Sequence, residues 1–212
     1  MLRIHEIFHS LQGESSRVGL PTVFVRLTGC PMRCVYCDTE YAFKGGSNMT
    51  LDQIMEQVAS YGARYVCVTG GEPLAQKKHC LELLRQLCDA GYEVSLETGG
   101  AIATDGVDER VAVILDIKTP DSGEVAKNHW DNLSRLKPND EVKIVLCSRA
   151  DYEWAKQLLA EHALNEKCAV IFSPVYSQVK PADLADWVLE DRLPVRMQVQ
   201  LHKILWGETP GK

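Results

Sequence analysis

Short apolar runs recur along the chain, and amphipathic segments separate them. The runs are rich in β-branched residues and nearly continuous in apolar character, which is typical of strands covered on both faces. They predict strands over 23–28, 65–69, 93–97, 112–117, 142–147, 169–173 and 196–201. Two intervening stretches, 44–49 and 119–125, are rich in Gly, Ser, Asn, Asp and Pro, and are predicted to be loops.

Helical segments alternate with these strands. Thr50 and Gln53 form a capping-box signature ahead of a segment whose apolar residues share one helical face. Further helices are predicted over 79–90, 150–163 and 181–190, with Gly91 and Pro181 as terminal signals. Repeated β–α units predict a single α/β domain over 1–212 with a parallel sheet, open or curled into a partial barrel.

Composition and charge exclude several function classes. The 212 residues are 45% hydrophobic and 25% charged, which is ordinary for a globular protein. The net charge of −6, without a block of Lys or Arg, argues against direct nucleic-acid binding. There is neither an apolar run of about 18 residues nor a signal-peptide pattern, so no membrane association and a cytoplasmic location are predicted.

Three cysteines, Cys30, Cys34 and Cys37, form a C-x3-C-x2-C run. A redox-active C-x-x-C pair is one interpretation, and a zinc site completed by His5, His9 or His202 is another. The spacing favours a third, a 4Fe–4S cluster with three thiolate ligands and one open iron, because a closed site would need a fourth ligand nearby. The other cysteines are predicted to be small buried side chains: Cys67, Cys80, Cys88, Cys147 and Cys168.

Polar residues collect where the predicted strands end. Carboxyl ends of parallel strands meet at one edge of a sheet, so these residues should converge on one cleft. They are Arg26, Thr28, Gly70, Gly71, Glu72, Glu97, Thr98, Gly99, Gly100, Asp116, Lys118, Ser148, Ser173 and His202. The paired glycines before Glu72 also allow the backbone to approach a ligand closely.

The cysteine run with Tyr36 before its last member, followed by a strand that ends in Gly-Gly-Glu-Pro, resembles the radical S-adenosylmethionine superfamily. Within it, the chain is similar to the 7-carboxy-7-deazaguanine synthase family. The residues that carry this second resemblance lie in 8–14, 24–30, 37–39, 97–100, 115–118 and 200–203.

The resemblance implies a fold, a reaction and partners. The fold is an abbreviated barrel with an N-terminal substrate-binding segment (1–28), a cluster loop (29–40) and a tail (203–212). The reaction converts 6-carboxy-5,6,7,8-tetrahydropterin to 7-carboxy-7-deazaguanine with loss of ammonia, in 7-deazapurine (queuosine) biosynthesis. It requires a 4Fe–4S cluster, S-adenosylmethionine, Mg²⁺ and an external electron donor of flavodoxin or ferredoxin type. Members are typically homodimers.

The resemblance also implies a role for individual residues. Cys30, Cys34 and Cys37 would ligate the cluster, and Thr39 would bind Mg²⁺. Contacts to S-adenosylmethionine would come from Tyr36, Asp38, Gly70, Gly71, Glu72, Gly100, Ser148 and Ser173. Contacts to the pterin would come from Leu11, Gln12, Gly13, Glu14, Arg26, Thr98 and His202. Carboxylate and amide groups can complement a pterin edge, and a guanidinium fork suits its carboxylate.

Two other functions are compatible with the cysteine run. A radical S-adenosylmethionine activase, which generates a glycyl radical on a partner protein, shares much of the cysteine-loop pattern but needs no pterin-binding Gln12 and Glu14. A non-catalytic iron–sulfur electron carrier would need no Gly70-Gly71-Glu72 turn. Cleavage of S-adenosylmethionine on reduction would separate the carrier from both enzymes.

Overall fold

A computed structural model describes residues 1–176, 178–207, 209 and 211. The strands are β1 (Leu2–Leu11), β2 (Pro21–Leu27), β3 (Ser47–Met49), β4 (Tyr65–Gly70), β5 (Glu93–Thr98), β6 (Ala112–Ile117), β7 (Glu141–Leu146), β8 (Ala169–Pro174) and β9 (Arg196–Met197). The α-helices are α1 (Leu51–Ser60), α2 (Lys77–Asp89), α3 (Arg149–Glu161), α4 (Leu164–Lys167), α5 (Pro181–Glu190) and α6 (Leu201–Trp206).

All the strands belong to one sheet in the order β3-β1-β2-β4-β5-β6-β7-β8-β9. The pairs from β2 through to β9 are parallel, whereas β1 runs antiparallel to both β2 and β3. Among the described residues β3 and β9 remain the two edges, so the sheet does not close. The expectation of an α/β fold with an open, partial barrel is confirmed.

The two faces of the sheet differ in character because side chains alternate along each strand. In β2, Val23, Val25 and Leu27 face an apolar core with α1 and α2, while Phe24 and Arg26 face the opposite side. A second core packs α3 and α5 against β6, β7 and β8. The face opposite these two cores carries polar side chains such as Arg26.

Some elements differ from the sequence-based expectation. β1 was not predicted, and β3 falls in the expected loop 44–49. The predicted strand over 196–201 is wrong beyond Met197, because α6 begins at Leu201, whose N–H donates to Gly13 O (3.0 Å). His202 therefore lies in a helix and not at a strand end.

Other local expectations are confirmed. Thr50 and Gln53 form the reciprocal capping box of α1. Gly91 follows α2 with φ +87°, a conformation that glycine adopts without strain. Four of the five remaining cysteines are buried, and Cys147 is partly exposed. No helix in the described ranges is both long and apolar enough to cross a membrane. Of the tail 203–212, residues 208, 210 and 212 lie outside the described residues.

Candidate active site

A cavity of about 680 Å³ opens on the face of the sheet opposite the two cores, at the carboxyl ends of the strands, and α6 contributes His202 and Lys203 to its wall. The structure brings most of the sequence-predicted site residues onto its wall. These are Leu11, Gln12, Gly13, Glu14, Arg26, Cys30, Cys34, Tyr36, Cys37, Asp38, Thr39, Gly70, Gly71, Thr98 and His202. The convergence expected from the strand ends therefore occurs for these residues.

The cluster loop is fastened to the turn after β4. The N–H of Glu72 donates to Gly29 O (2.8 Å), and Gly29 N–H donates to Ala42 O (2.9 Å). A Cβ at Gly71 would collide with Gly29 O and with the side chain of Cys30. Glycine is needed at 71 because the two backbones approach so closely.

The three cysteines are free thiols of intermediate exposure. Burial raises the pKa of the thiols of Cys30, Cys34 and Cys37. Binding of iron would therefore displace their protons, because the thiolate is the ligand. Three convergent, partly exposed thiols suit a cluster with one open position.

A mononuclear metal site does not fit this geometry. Within the described part of the chain, no three His, Cys, Asp or Glu side chains converge closely enough to hold one ion. His5 and His9 do not line the cavity, so neither completes a zinc site with the cysteines. A 4Fe–4S cluster takes one thiolate at each of several irons, so its cysteine ligands need not meet at a single ion.

Glu72 is fully buried, and its carboxylate links the turn after β4 to the turn after β5. Its carboxylate accepts hydrogen bonds from Leu74 N (2.9 Å), Gly99 N (2.9 Å) and the Thr98 hydroxyl (2.8 Å). Burial raises the pKa of Glu72, although these hydrogen bonds oppose the rise. The side chain does not line the cavity, so it positions the turns that hold Gly71 and Thr98.

Besides Glu72, three residues expected to contact S-adenosylmethionine do not reach the cavity wall: Gly100, Ser148 and Ser173. Ser148 is the N-cap of α3, where its hydroxyl accepts from Asp151 N (3.2 Å) and donates to Asp121 Oδ2 (2.5 Å). Ser173 is 2% exposed within β8, and Gly100 O accepts from His129 N (2.8 Å). These positions lie off the cavity wall, and their contacts with S-adenosylmethionine stay a prediction.

One end of the cavity holds the segment that follows β1. Gln12 Nε2 donates to Glu97 Oε1 (3.1 Å), and Gln200 Nε2 donates to Glu14 Oε1 (2.9 Å). Lys143 Nζ donates to Glu14 Oε2 (2.7 Å). Sequence reasoning missed Lys143, although a lysine in the middle of the apolar run of β7 is a signal that could have revealed it.

The Arg26 side chain is contacted by one carboxylate and two aromatic rings. Its Nε donates to Glu6 Oε1 (2.7 Å), which also accepts from the Tyr41 hydroxyl (2.9 Å). The guanidinium lies between the rings of Phe8 and Tyr41, 5.6 and 5.8 Å from their centroids. The Glu6 contact uses only Nε, which leaves the two terminal nitrogens for a bidentate anion.

Asp38 joins the cluster loop to α6. Its Oδ1 accepts from the Thr39 hydroxyl (2.7 Å), and its Oδ2 is 3.2 Å from Lys203 Nζ. Burial alone would raise the pKa of Asp38, but Lys203 and Thr39 outweigh burial and lower it. Asp38 is therefore an anion beside Thr39, whose hydroxyl oxygen faces the cavity.

Comparison with known proteins identifies the family. The model of the radical SAM superfamily matches residues 24–161. The 7-carboxy-7-deazaguanine synthase of Chlorobaculum tepidum is 52% identical over 210 residues, which cover 97% of this chain and 94% of that protein. That of Koribacter versatilis is 44% identical over 225 residues, which cover 99% and 100%. The chain belongs to the 7-carboxy-7-deazaguanine synthase family.

A solved structure supports the fold of this radical SAM enzyme. QueE from Escherichia coli superposes with a TM-score of 0.77 at 23% identity, over 95% of this chain and 94% of that one. The superfamily implies a 4Fe–4S cluster and S-adenosylmethionine, and Cys30, Cys34 and Cys37 on the cavity wall are available as cluster ligands. The relatives are synthases, so the activase interpretation is not favoured.

Proposed function

We propose that this enzyme converts 6-carboxy-5,6,7,8-tetrahydropterin to 7-carboxy-7-deazaguanine with release of ammonia, in 7-deazapurine (queuosine) biosynthesis. The names of its relatives support the reaction. The observation that carries the proposal is the shared cavity. It has the cluster cysteines on one wall, and Glu14 and Arg26 elsewhere on the same surface.

Cys30, Cys34 and Cys37 would hold the cluster, which when bound supplies the electron that cleaves S-adenosylmethionine and so provides radical chemistry. The exposed backbone of Gly70 and Gly71 would bind the methionine end of the cofactor. Their lack of side chains permits the close approach that such binding needs. Tyr36 and Asp38, which also line the cavity, would lie beside the adenosyl group.

The pterin would bind between Glu14 and Arg26. The free terminal nitrogens of Arg26 suit a carboxylate, because a guanidinium presents two parallel N–H groups. Glu14 and Gln12 are fixed by Lys143 and Glu97 and would meet the polar edge of the ring. Leu11, Gly13, Thr98 and His202 complete this part of the wall.

Thr39 would bind Mg²⁺ through its hydroxyl, with substrate oxygens and water as further ligands. Magnesium prefers such oxygen ligands and keeps several waters. We further propose that 1–212 acts as one domain, with the substrate-binding segment 1–28, the cluster loop 29–40 and the tail 203–212. The enzyme would be a cytoplasmic homodimer that takes electrons from an external flavodoxin- or ferredoxin-type donor.

One anaerobic assay tests the reaction. The cluster is reconstituted and reduced, S-adenosylmethionine, Mg²⁺ and 6-carboxytetrahydropterin are added, and products are identified by mass. We expect 7-carboxy-7-deazaguanine in excess over enzyme, and none from Cys34→Ala. Release of 5′-deoxyadenosine without this product would refute the proposed substrate and favour an activase. No cleavage at all would favour an electron carrier.

A further inference from the structure

A row of alternating charges lies along the inner face of the sheet. Glu14 Oε2 is 2.7 Å from Lys143 Nζ, Lys143 Nζ is 3.4 Å from Asp116 Oδ2, and Asp116 Oδ2 is 3.1 Å from Lys118 Nζ. The four side chains are between 8% and 17% exposed. Buried charges are costly unless they are paired. Removal of one charged side chain from the row would therefore leave its neighbour unpaired and destabilise the protein.

Strand register fixes the centre of this row. Asp116 of β6 and Lys143 of β7 are direct partners in the sheet, and both face the cavity. Burial would lower the pKa of Lys143, but Glu14, Asp116 and Glu97 outweigh it and raise the pKa well above its usual value. Lys143 is therefore a fixed cation that faces the ligand space.

The hydrogen bonds leave a defined set of unused groups. An ionised carboxylate has about four lone-pair sites, and an ammonium has three donors. Glu14 uses one site for Lys143 and one for Gln200, so two acceptor sites remain. Lys143 donates one hydrogen bond to Glu14 and forms an ion pair with Asp116, so at least one of its three donors remains unused.

One carboxylate oxygen in the row has no hydrogen-bond partner in the described part of the chain. Asp116 Oδ1 is buried and has no hydrogen-bond partner among the described residues. Buried acceptors without a partner are rare in folded proteins and call for a ligand or an ordered water. The groups that a ligand in the cavity can reach are the unused donor of Lys143 and the unused acceptor sites of Glu14, because both residues line the wall.

This inference rests on the proposed function. We propose that Lys143 is a specificity-determining residue that recognises the polar edge of the pterin ring by hydrogen bonding. Its unused N–H would donate to the 4-oxo group, while Glu14, held by Lys143, would accept from N3–H and the 2-amino group. Together they present one donor beside two acceptors. That pattern complements a 2-amino-4-oxo pteridine. It disfavours a ring with an amino group at position 4, because that donor would face the N–H donor of Lys143.

Equilibrium dialysis measures this selectivity without turnover. The reconstituted enzyme with S-adenosylmethionine is dialysed against pterin-6-carboxylate and against 2,4-diaminopteridine-6-carboxylate. The wild type should bind the 4-oxo compound at least ~10-fold more tightly, since a hydrogen bond to a charged donor has about this worth. In Lys143→Met the ratio of the two Kd values should fall to within about 3-fold.

Three further variants separate selectivity from folding. Lys156→Met removes a lysine on the outer surface of α3 and should keep the wild-type ratio. Lys143→Arg retains the charge and should keep part of the preference. If Lys143→Met does not fold, the ratio in Lys143→Met with Glu14→Gln is compared with that in Glu14→Gln alone, which isolates the contribution of Lys143.

An unchanged ratio in Lys143→Met, or in the double variant relative to Glu14→Gln, would overturn the inference. That result leaves the proposed reaction standing if the wild type forms 7-carboxy-7-deazaguanine. Failure of the wild type to bind either pteridine and to form product would instead refute the proposed function, and with it the role of Lys143.

Discussion

Replacement of Glu72 by Gln should destabilise the site from a position behind the cavity wall. Glu72 is fully buried, and its two oxygens accept from Leu74 N, Gly99 N and the Thr98 hydroxyl. Glutamine has nearly the same shape but only one oxygen. Its amide NH₂ must therefore face a backbone N–H that previously had an acceptor.

The hydrogen-bond count sets the magnitude. Loss of one bond to a charged acceptor, with a buried donor left unpaired, reduces the free energy of unfolding by about 3 kcal/mol. For a chain of this size each kcal/mol shifts the melting temperature by about 2–4 °C, so Glu72→Gln should melt about 6–12 °C lower. Because the turns that hold Gly71 and Thr98 loosen, S-adenosylmethionine should also bind more weakly.

The assay is thermal melting of the reconstituted protein, combined with the Kd for S-adenosylmethionine from equilibrium dialysis. Glu82→Gln on the exposed face of α2 is the matched control, because its carboxylate contacts only Arg85 and Gln86 at the surface. It should leave both quantities unchanged. A Glu72→Gln protein that melts with the wild type would refute the hydrogen-bond reasoning.

Other variants test other parts of the site. Arg26→Lys keeps the charge but loses the bidentate fork, so KM for the pterin should rise ~10-fold or more with a smaller change in kcat; an unchanged KM would contradict a carboxylate at Arg26. Cys34→Ala should lose cluster absorbance on reconstitution together with release of 5′-deoxyadenosine; retention of both would refute the ligand assignment. Gly13→Ala places a Cβ against the His202 ring, so it should displace α6 and raise KM, whereas wild-type kinetics would show that this contact is dispensable.

Periodicity predicted the parallel part of the fold because buried strands are read from apolar runs alone. β1 was missed because its apolar residues form no continuous run: Leu2, Ile4 and Ile7 are the buried ones, and a register shift falls between Ile4 and Glu6. The end of the 196–201 prediction was wrong for a tertiary reason. The bond from Leu201 N–H to Gly13 O joins residues far apart in sequence, and no local pattern encodes it.

The site residues divide in the same way, into those that local motifs predict and those that long-range contacts place. The cysteine run and the Gly-Gly turn are local motifs, so their positions on the cavity wall could be foreseen. The contact of Lys143 with Glu14 spans 129 residues of sequence, and the register of β6 and β7 is what brings Asp116 beside them. The role of Ser148 as the N-cap of α3 was not foreseen, because a polar residue after a strand can equally face a ligand or cap the next helix.

The central claim is that one cavity holds the cofactor and the pterin together. A crystal structure of the reconstituted enzyme with S-adenosylmethionine and 6-carboxytetrahydropterin tests it most directly. We predict the methionine end of the cofactor against Gly70 and Gly71, the pterin edge on Glu14 and Lys143, and its carboxylate on Arg26. A pterin bound outside this cavity, or a cavity in which Glu14 and Arg26 contact no ligand, would contradict the account.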